Sequence, residues 1–110
     1  NDKLTKPAND PFRFAYCSDT AYSEKIIPII EGVDCLFHEA TFAEEDAARA
    51  KSTLHSTAAQ AGKIAKKANV KQLIIGHYSA RYSNKNILLN EAKQHFENTF
   101  AADDMMVFEF

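Results

Sequence analysis

This chain of 110 residues predicts an α/β fold, on three observations. Short apolar runs of strand length alternate with stretches of helical period, the alternation that builds parallel sheets from β-α-β units. One of those runs, Gln72 to Gly76, is of the continuous kind found in strands buried on both faces. Polar, chemistry-bearing residues follow directly on the runs, as in Cys17-Ser18-Asp19-Thr20, Leu36-Phe37-His38-Glu39, Leu54-His55-Ser56-Thr57 and Ile75-Gly76-His77-Tyr78. In parallel α/β proteins the C-terminal edge of the sheet is where side chains from separate strands converge on a ligand.

The elements follow in order. Residues Asn1 to Pro11, with two prolines among polar neighbours, read as a loop or as a cut inherited from a longer protein. Phe12 to Ser18 is a strand, and Ser23 to Glu31 a helix closed by Gly32. Pro28 requires that helix to be short and to start late, because an interior proline removes a hydrogen bond. Asp34 to His38 is the second strand. Thr41 and Glu44 have capping-box spacing ahead of a helix of about ten residues from Phe42 to Lys51. Thr57 with Gln60 repeats the device. The helix it opens has Ala58, Ala61, Ile64, Ala65 and Ala68 on one face, lysines near its end and Asn69 as its stop. Gln72 to Gly76 is the third strand, Lys85 to Phe100 a helix with Leu88, Ala92, Phe96 and Phe100 at helical spacing, and Met105 to Phe110 a last strand. The predicted order is β-α-β-α-α-β-α-β.

Composition narrows the function. With 45% hydrophobic and 25% charged residues, the chain is one small globular domain or a piece of a larger one. A net charge of −2 provides no general basic footprint, so any contact with nucleic acid must be local. No apolar run approaches the roughly 20 residues of a membrane span, and the N-terminus lacks a basic-then-apolar signal, which predicts a cytoplasmic protein with no membrane partner. Cys17 and Cys35, embedded in strand-like runs without C-x-x-C spacing, are expected to be reduced and buried. There is no P-loop, no G-x-G-x-x-G and no G-x-S-x-G elbow. Metal and acid-base chemistry remain.

Asp19 supplies a hard anionic oxygen able to bridge two cations, and His77 a borderline nitrogen suited to zinc. These two ligands are fewer than the three or four that a zinc site needs. His55 immediately precedes a helix start, where the dipole disfavours imidazolium unless a carboxylate compensates. Glu39 is the candidate carboxylate. A hydrogen bond from His55 to Glu39 fixes the tautomer and suits His55 to act as general acid toward a leaving oxygen, with metals activating water from the other side.

The strings Ser18-Asp19-Thr20, His38-Glu39-Ala40-Thr41, His55-Ser56-Thr57-Ala58-Ala59 and His77-Tyr78-Ser79-Ala80-Arg81-Tyr82, in that order, resemble the C-terminal half of the ribonuclease Z family, the tRNA 3′-processing endonucleases of the metallo-β-lactamase superfamily. The resemblance implies that residues 1–110 are a partial domain, the C-terminal half of an αββα sandwich. It implies that Asp19 bridges two zinc ions (Zn2+) and that His77 ligates one of them, while Glu39 and His55 form the family's acid pair. It further implies precursor tRNA as substrate, hydrolysis that leaves a 3′ hydroxyl, and a homodimeric enzyme. Ser79 and Arg81, in the loop after His77, are candidate substrate-binding residues, arginine being suited to bidentate phosphate contact. His38 belongs to the family string, but strand alternation turns its side chain away from that of Glu39.

Two departures stand out. Ser18-Asp19-Thr20 replaces the family's common Gly-Asp-Thr, and the family's principal metal motif, H-x-H-x-D-H, is not among these residues. The isolated chain is therefore expected to be inactive, and half of a sandwich is expected to expose an apolar sheet face and to belong to a longer enzyme or self-associate. Two other classes fit the same residues: a related metallo-hydrolase of small phosphodiesters or sulfate esters, and a non-catalytic structural or interaction module.

Overall fold

The computed structural model describes residues 12–18 and 21–102. Four strands, β1 (Phe14–Cys17), β2 (Cys35–Glu39), β3 (Leu73–Gly76) and β4 (Thr99–Ala101), form one parallel sheet in the order β1-β2-β3-β4. The helices are α1 (Ile27–Ile30), α2 (Ala47–Ser52), α3 (Ala58–Ala68) and α4 (Asn86–Lys93), with 3-10 turns at Glu24–Ile26 and Glu44–Asp46 leading into α1 and α2. A parallel sheet whose strands follow in sequence, joined by right-handed crossovers, collects its helices on one face. The core lies there, with Leu36, Leu73 and Ile75 of the sheet against Ile30, Ile64, Ala65 and Leu88 of the helices.

The other face has no layer over it among the described residues. Phe14, Tyr16 and Phe37 point there with Phe100, and Tyr16, 66% exposed, stacks on Phe37 with ring centroids 4.8 Å apart. Gly76 permits this arrangement, since a Cβ at that position would meet the Phe37 ring at 2.8 Å. Among the described residues this face is apolar and partly exposed, with Phe14 46% and Phe100 45% exposed while Cys35 and Ile74 are buried.

Local signals account for most boundaries. The hydroxyl of Ser23 caps the 3-10 turn, and Pro28 falls in the first turn of α1, where its missing N–H costs nothing. α3 opens on a complete capping box. Gln60 N–H donates to the Thr57 hydroxyl at 3.1 Å and Thr57 N–H to the Gln60 side chain at 2.9 Å. Asn69, at φ 57°, ends the helix in the left-handed conformation that asparagine tolerates.

Two expectations are corrected. Thr41 and Glu44 form no capping box. Ala43 precedes the 3-10 turn without a side-chain cap, the Thr41 hydroxyl is buried without a partner among the described residues, and Glu44 instead accepts from the Thr57 hydroxyl at 3.1 Å. The helix expected to reach Phe100 stops at Lys93, and Thr99–Ala101 is strand β4. Phe96 and Phe100 match helical spacing, but the open edge of β3 needs backbone partners, and pairing from Leu73–Thr99 to Ile75–Ala101 supplies them. The strand expected at Met105 to Phe110 lies outside the described residues.

Candidate active site

The loops after β2 and β3 and the entry to α3 meet on one backbone residue. Thr41 N–H donates to Ser56 O at 3.0 Å, and Thr41 O accepts from Ser79 N–H at 2.9 Å. The segments Glu39-Ala40-Thr41, His55-Ser56-Thr57 and His77-Tyr78-Ser79 are thus held together at the C-terminal edge of the sheet, the place the fold class predicts for a site.

Glu39 ends β2 with its side chain wholly buried. Burial of a carboxylate is costly unless hydrogen bonds compensate, and here they converge. Ser56 N–H donates to Oε2 at 2.6 Å, and His55 Nδ1 lies 3.1 Å from Oε2 and 3.3 Å from Oε1. A carboxylate can only accept, so His55 Nδ1 carries the proton and Nε2 is the atom left for chemistry. The His55 side chain is 25% exposed. It is buried on the Glu39 side and open toward a groove of about 500 Å3 lined also by Phe42, Arg49, His77, Ser79 and Arg81.

His77 follows β3 at φ 65°, a left-handed backbone that costs a branched-chain or aromatic residue roughly 1–2 kcal/mol. Strain of this kind persists where the surroundings impose it, and it gathers at functional sites. The turn brings the His77 ring edge-on to that of His55, with centroids 5.5 Å apart. Its Nδ1 is 3.7 Å from Glu39 Oε1 and 3.5 Å from the hydroxyl of Ser18, which follows β1. Asp19, the next residue, lies outside the described residues.

His38 takes no part. Its side chain is on the core face, 1% exposed, and Nδ1 donates to the Glu39 carbonyl at 2.9 Å. Burial holds its imidazole below the ordinary value, with the Glu39 carbonyl and carboxylate opposing that shift. The alternation expected from a strand is what separates His38 from Glu39.

Ser79 and Arg81 reach the groove, though each is already engaged. The Ser79 hydroxyl accepts from Arg81 N–H at 3.3 Å, a local turn bond. Arg81 donates to Asp46 at 3.0 Å, with its guanidinium 5.9 Å from the centroid of the Phe42 ring. Asp46 also accepts from the Tyr82 hydroxyl, which in turn accepts from Ala43 N–H at 2.7 Å. The Tyr82 hydroxyl bond, with Arg81 and Arg49 beside it, holds Asp46 below the usual carboxylate range against the opposing effect of desolvation. Arg49 and Asp46 were not named as site residues in the sequence, and Tyr82 stood there only as the end of the family string.

Among the described residues no group of three or more His, Cys, Asp or Glu side chains converges as a metal site. His77 offers one imidazole, its side chain 45% exposed, where zinc requires three or four protein ligands. The described donor set does not hold zinc unaided.

A family profile described as the beta-lactamase superfamily domain matches residues 8–78. The chain belongs to the beta-lactamase superfamily. Among curated members it is similar to ribonuclease Z of Parabacteroides distasonis, 61% identical over 96% of this chain and 35% of that protein, and to ribonuclease Z of Porphyromonas gingivalis strain W83, 56% identical over 96% and 35%. The chain thus spans about a third of the length of the curated relatives it matches, a C-terminal portion of them. Among solved structures, the metallo-beta-lactamase fold protein YhfI from Bacillus subtilis superimposes with a TM-score of 0.78 at 29% identity, covering 86% of this chain and 38% of that one. The short form of human tRNase Z gives a TM-score of 0.59 at 29% identity, covering 76% and 27%. The superfamily's metallo-beta-lactamase fold and the resemblance to ribonuclease Z drawn from the four strings both stand.

Proposed function

We propose that this chain is the acid-pair-bearing portion of a zinc-dependent endoribonuclease that hydrolyses one phosphodiester bond at the 3′ end of precursor tRNA. The observation that carries the reading is the buried Glu39 carboxylate bonded to His55 Nδ1, with His77 edge-on beside it. The ribonuclease Z relatives support the choice of substrate.

His55 performs the proton step. Glu39 holds the ring by Nδ1, which leaves Nε2 as the nitrogen available to a substrate in the groove that His55 lines. As the oxygen of water adds to phosphorus and the bond from phosphorus to O3′ breaks, the Nε2 proton passes to O3′. The water gives its own proton to solvent, and His55 is reprotonated before the next turnover. The products are a 3′ hydroxyl on the tRNA and a 5′ phosphate on the trailer. Asp19 and His77 are the chain's contribution to the zinc ligands, completed by ligands beyond the described residues. Ser79 and Arg81 line the groove as substrate contacts. The active enzyme is a cytoplasmic homodimer, and the 110 residues alone are inactive.

The test is cleavage of precursor tRNA by the full-length protein and its His55→Ala variant, with zinc measured in both. Loss of a general acid lowers kcat by about 10²–10⁴, with zinc content unchanged. Unaltered turnover removes His55 from the mechanism, and a wild type that cleaves a small chromogenic phosphodiester but no precursor tRNA assigns the site to a small-substrate hydrolase.

A further inference from the structure

The groove beside His55 and His77 is lined by two guanidinium groups, Arg49 from α2 and Arg81 from the loop after β3. They share a single carboxylate. Arg81 is bonded to Asp46, and the charge of Arg49 also acts on Asp46, yet Arg49 makes no ion pair or side-chain hydrogen bond among the described residues. The groove wall therefore holds one positive charge more than Asp46 can neutralise, on a side chain that is exposed.

Arg81 is fixed in place. Its Nη1 is bonded to Asp46 and its plane is close to the Phe42 ring, which leaves part of its fork for a second anion at little further cost in side-chain freedom. Arg49 lies in the last turn of α2, and its carbonyl accepts from the Thr53 hydroxyl at 2.8 Å, which ties it to the turn that leads into His55. The same wall includes Thr41, whose backbone carbonyl accepts from Ser79 N–H and so ties the loop that carries Arg81 to the end of β2.

We infer that Arg49 and Arg81 form a phosphate subsite for a backbone phosphate next to the one being cleaved, so that the site prefers a polynucleotide to a small phosphodiester. The inference rests on the proposed phosphodiester reading. His55, against which the reacting phosphate is placed, and the exposed Arg49 line the same groove, so a continuous strand that presents one phosphate to His55 can present the next to Arg49. A small diester has no such second phosphate.

The full-length protein and its Arg49→Ala and Arg49→Lys variants are compared on precursor tRNA and on bis(p-nitrophenyl) phosphate, with binding of a fluorescein-labelled single-stranded oligoribonucleotide followed by anisotropy against salt. Arg49→Ala raises KM for precursor tRNA about tenfold and reduces the slope of log affinity against log salt by about one. Its loss on the small diester is several-fold smaller. Arg49→Lys keeps the salt slope, since the charge remains. Equal losses on the two substrates, or an unchanged salt slope in Arg49→Ala, overturn the subsite. A wild type that cleaves neither substrate defeats the endonuclease reading instead, and the anisotropy series then decides the subsite alone.

Discussion

Glu39 holds His55 from behind. The carboxylate is fully buried, the imidazole nitrogen facing it is 3.1 Å away, and the backbone N–H of the next residue, Ser56, bonds the same oxygen at 2.6 Å. The tautomer of His55 follows from this pair, because a carboxylate has no proton to offer.

Glu39→Gln tests that consequence. The amide can donate where the carboxylate could only accept, so His55 is expected to move its proton from Nδ1 to Nε2, and activity on precursor tRNA to fall by about two orders of magnitude. Nitrogen-15 NMR of the imidazole reports the tautomer directly. A variant still protonated on Nδ1 at full activity would show that Glu39 does not set it.

The buried imidazole of His38 predicts a pH dependence of stability. Burial lowers its affinity for a proton in the folded state, so on acidification the unfolded chain binds a proton that the folded chain does not. Stability is complete above the ordinary value of 6.5 and is lost as pH falls below it. Asparagine at this position keeps a donor for the Glu39 carbonyl and does not titrate. Urea unfolding at pH 7.5 and pH 5.0 should therefore show a larger drop for wild type than for His38→Asn, and equal drops would rule His38 out as the source.

Cys35 is buried in β2, and burial first, then the nearby Asp34 carboxylate, push its thiol up to about 11. In a Cys17→Ser background the folded protein should resist a thiol-disulfide reagent at pH 8 and react fully in denaturant, because the thiolate is the reactive form. Fast labelling without denaturant would mean that β2 is not packed as described.

Gly62 sets the distance between α3 and α4. A Cβ at this position would lie 2.5 Å from the carbonyl of Ala92, a backbone atom that cannot rotate away. Gly62→Ala should destabilise the protein by about 1–3 kcal/mol despite the better helix propensity of alanine. Thermal unfolding measures it, and a raised Tm would place the two helices further apart.

Much of the architecture was legible in the residues. Pro28, the Thr57 and Gln60 box and the Asn69 stop are rules of adjacent backbone groups, and all three operate as read. The strand alternation that parts His38 from Glu39 is equally local. The failures share a different cause. Thr41 and Glu44 have the spacing of a capping box, but Glu44 is taken by Thr57 of a later element. Phe100 has helical spacing from Phe96 and Ala92, but the edge of β3 recruits it into a strand.

The sequence by itself determined the kinds of elements, their order, and which polar residues stand at the ends of strands, because period, caps and turn residues act over a few bonds. Tertiary structure alone decided which of them meet. Glu39 and His55 are 16 residues apart, and Ser18 and His77 are 59 apart. Those encounters depend on the parallel register of β1, β2 and β3 and on the backbone bonds of Thr41, and no local rule contains that register. The pairing of Arg81 with Asp46, and the placing of Arg49 in the same groove, likewise appear only once α2 is packed beside the loop that follows β3.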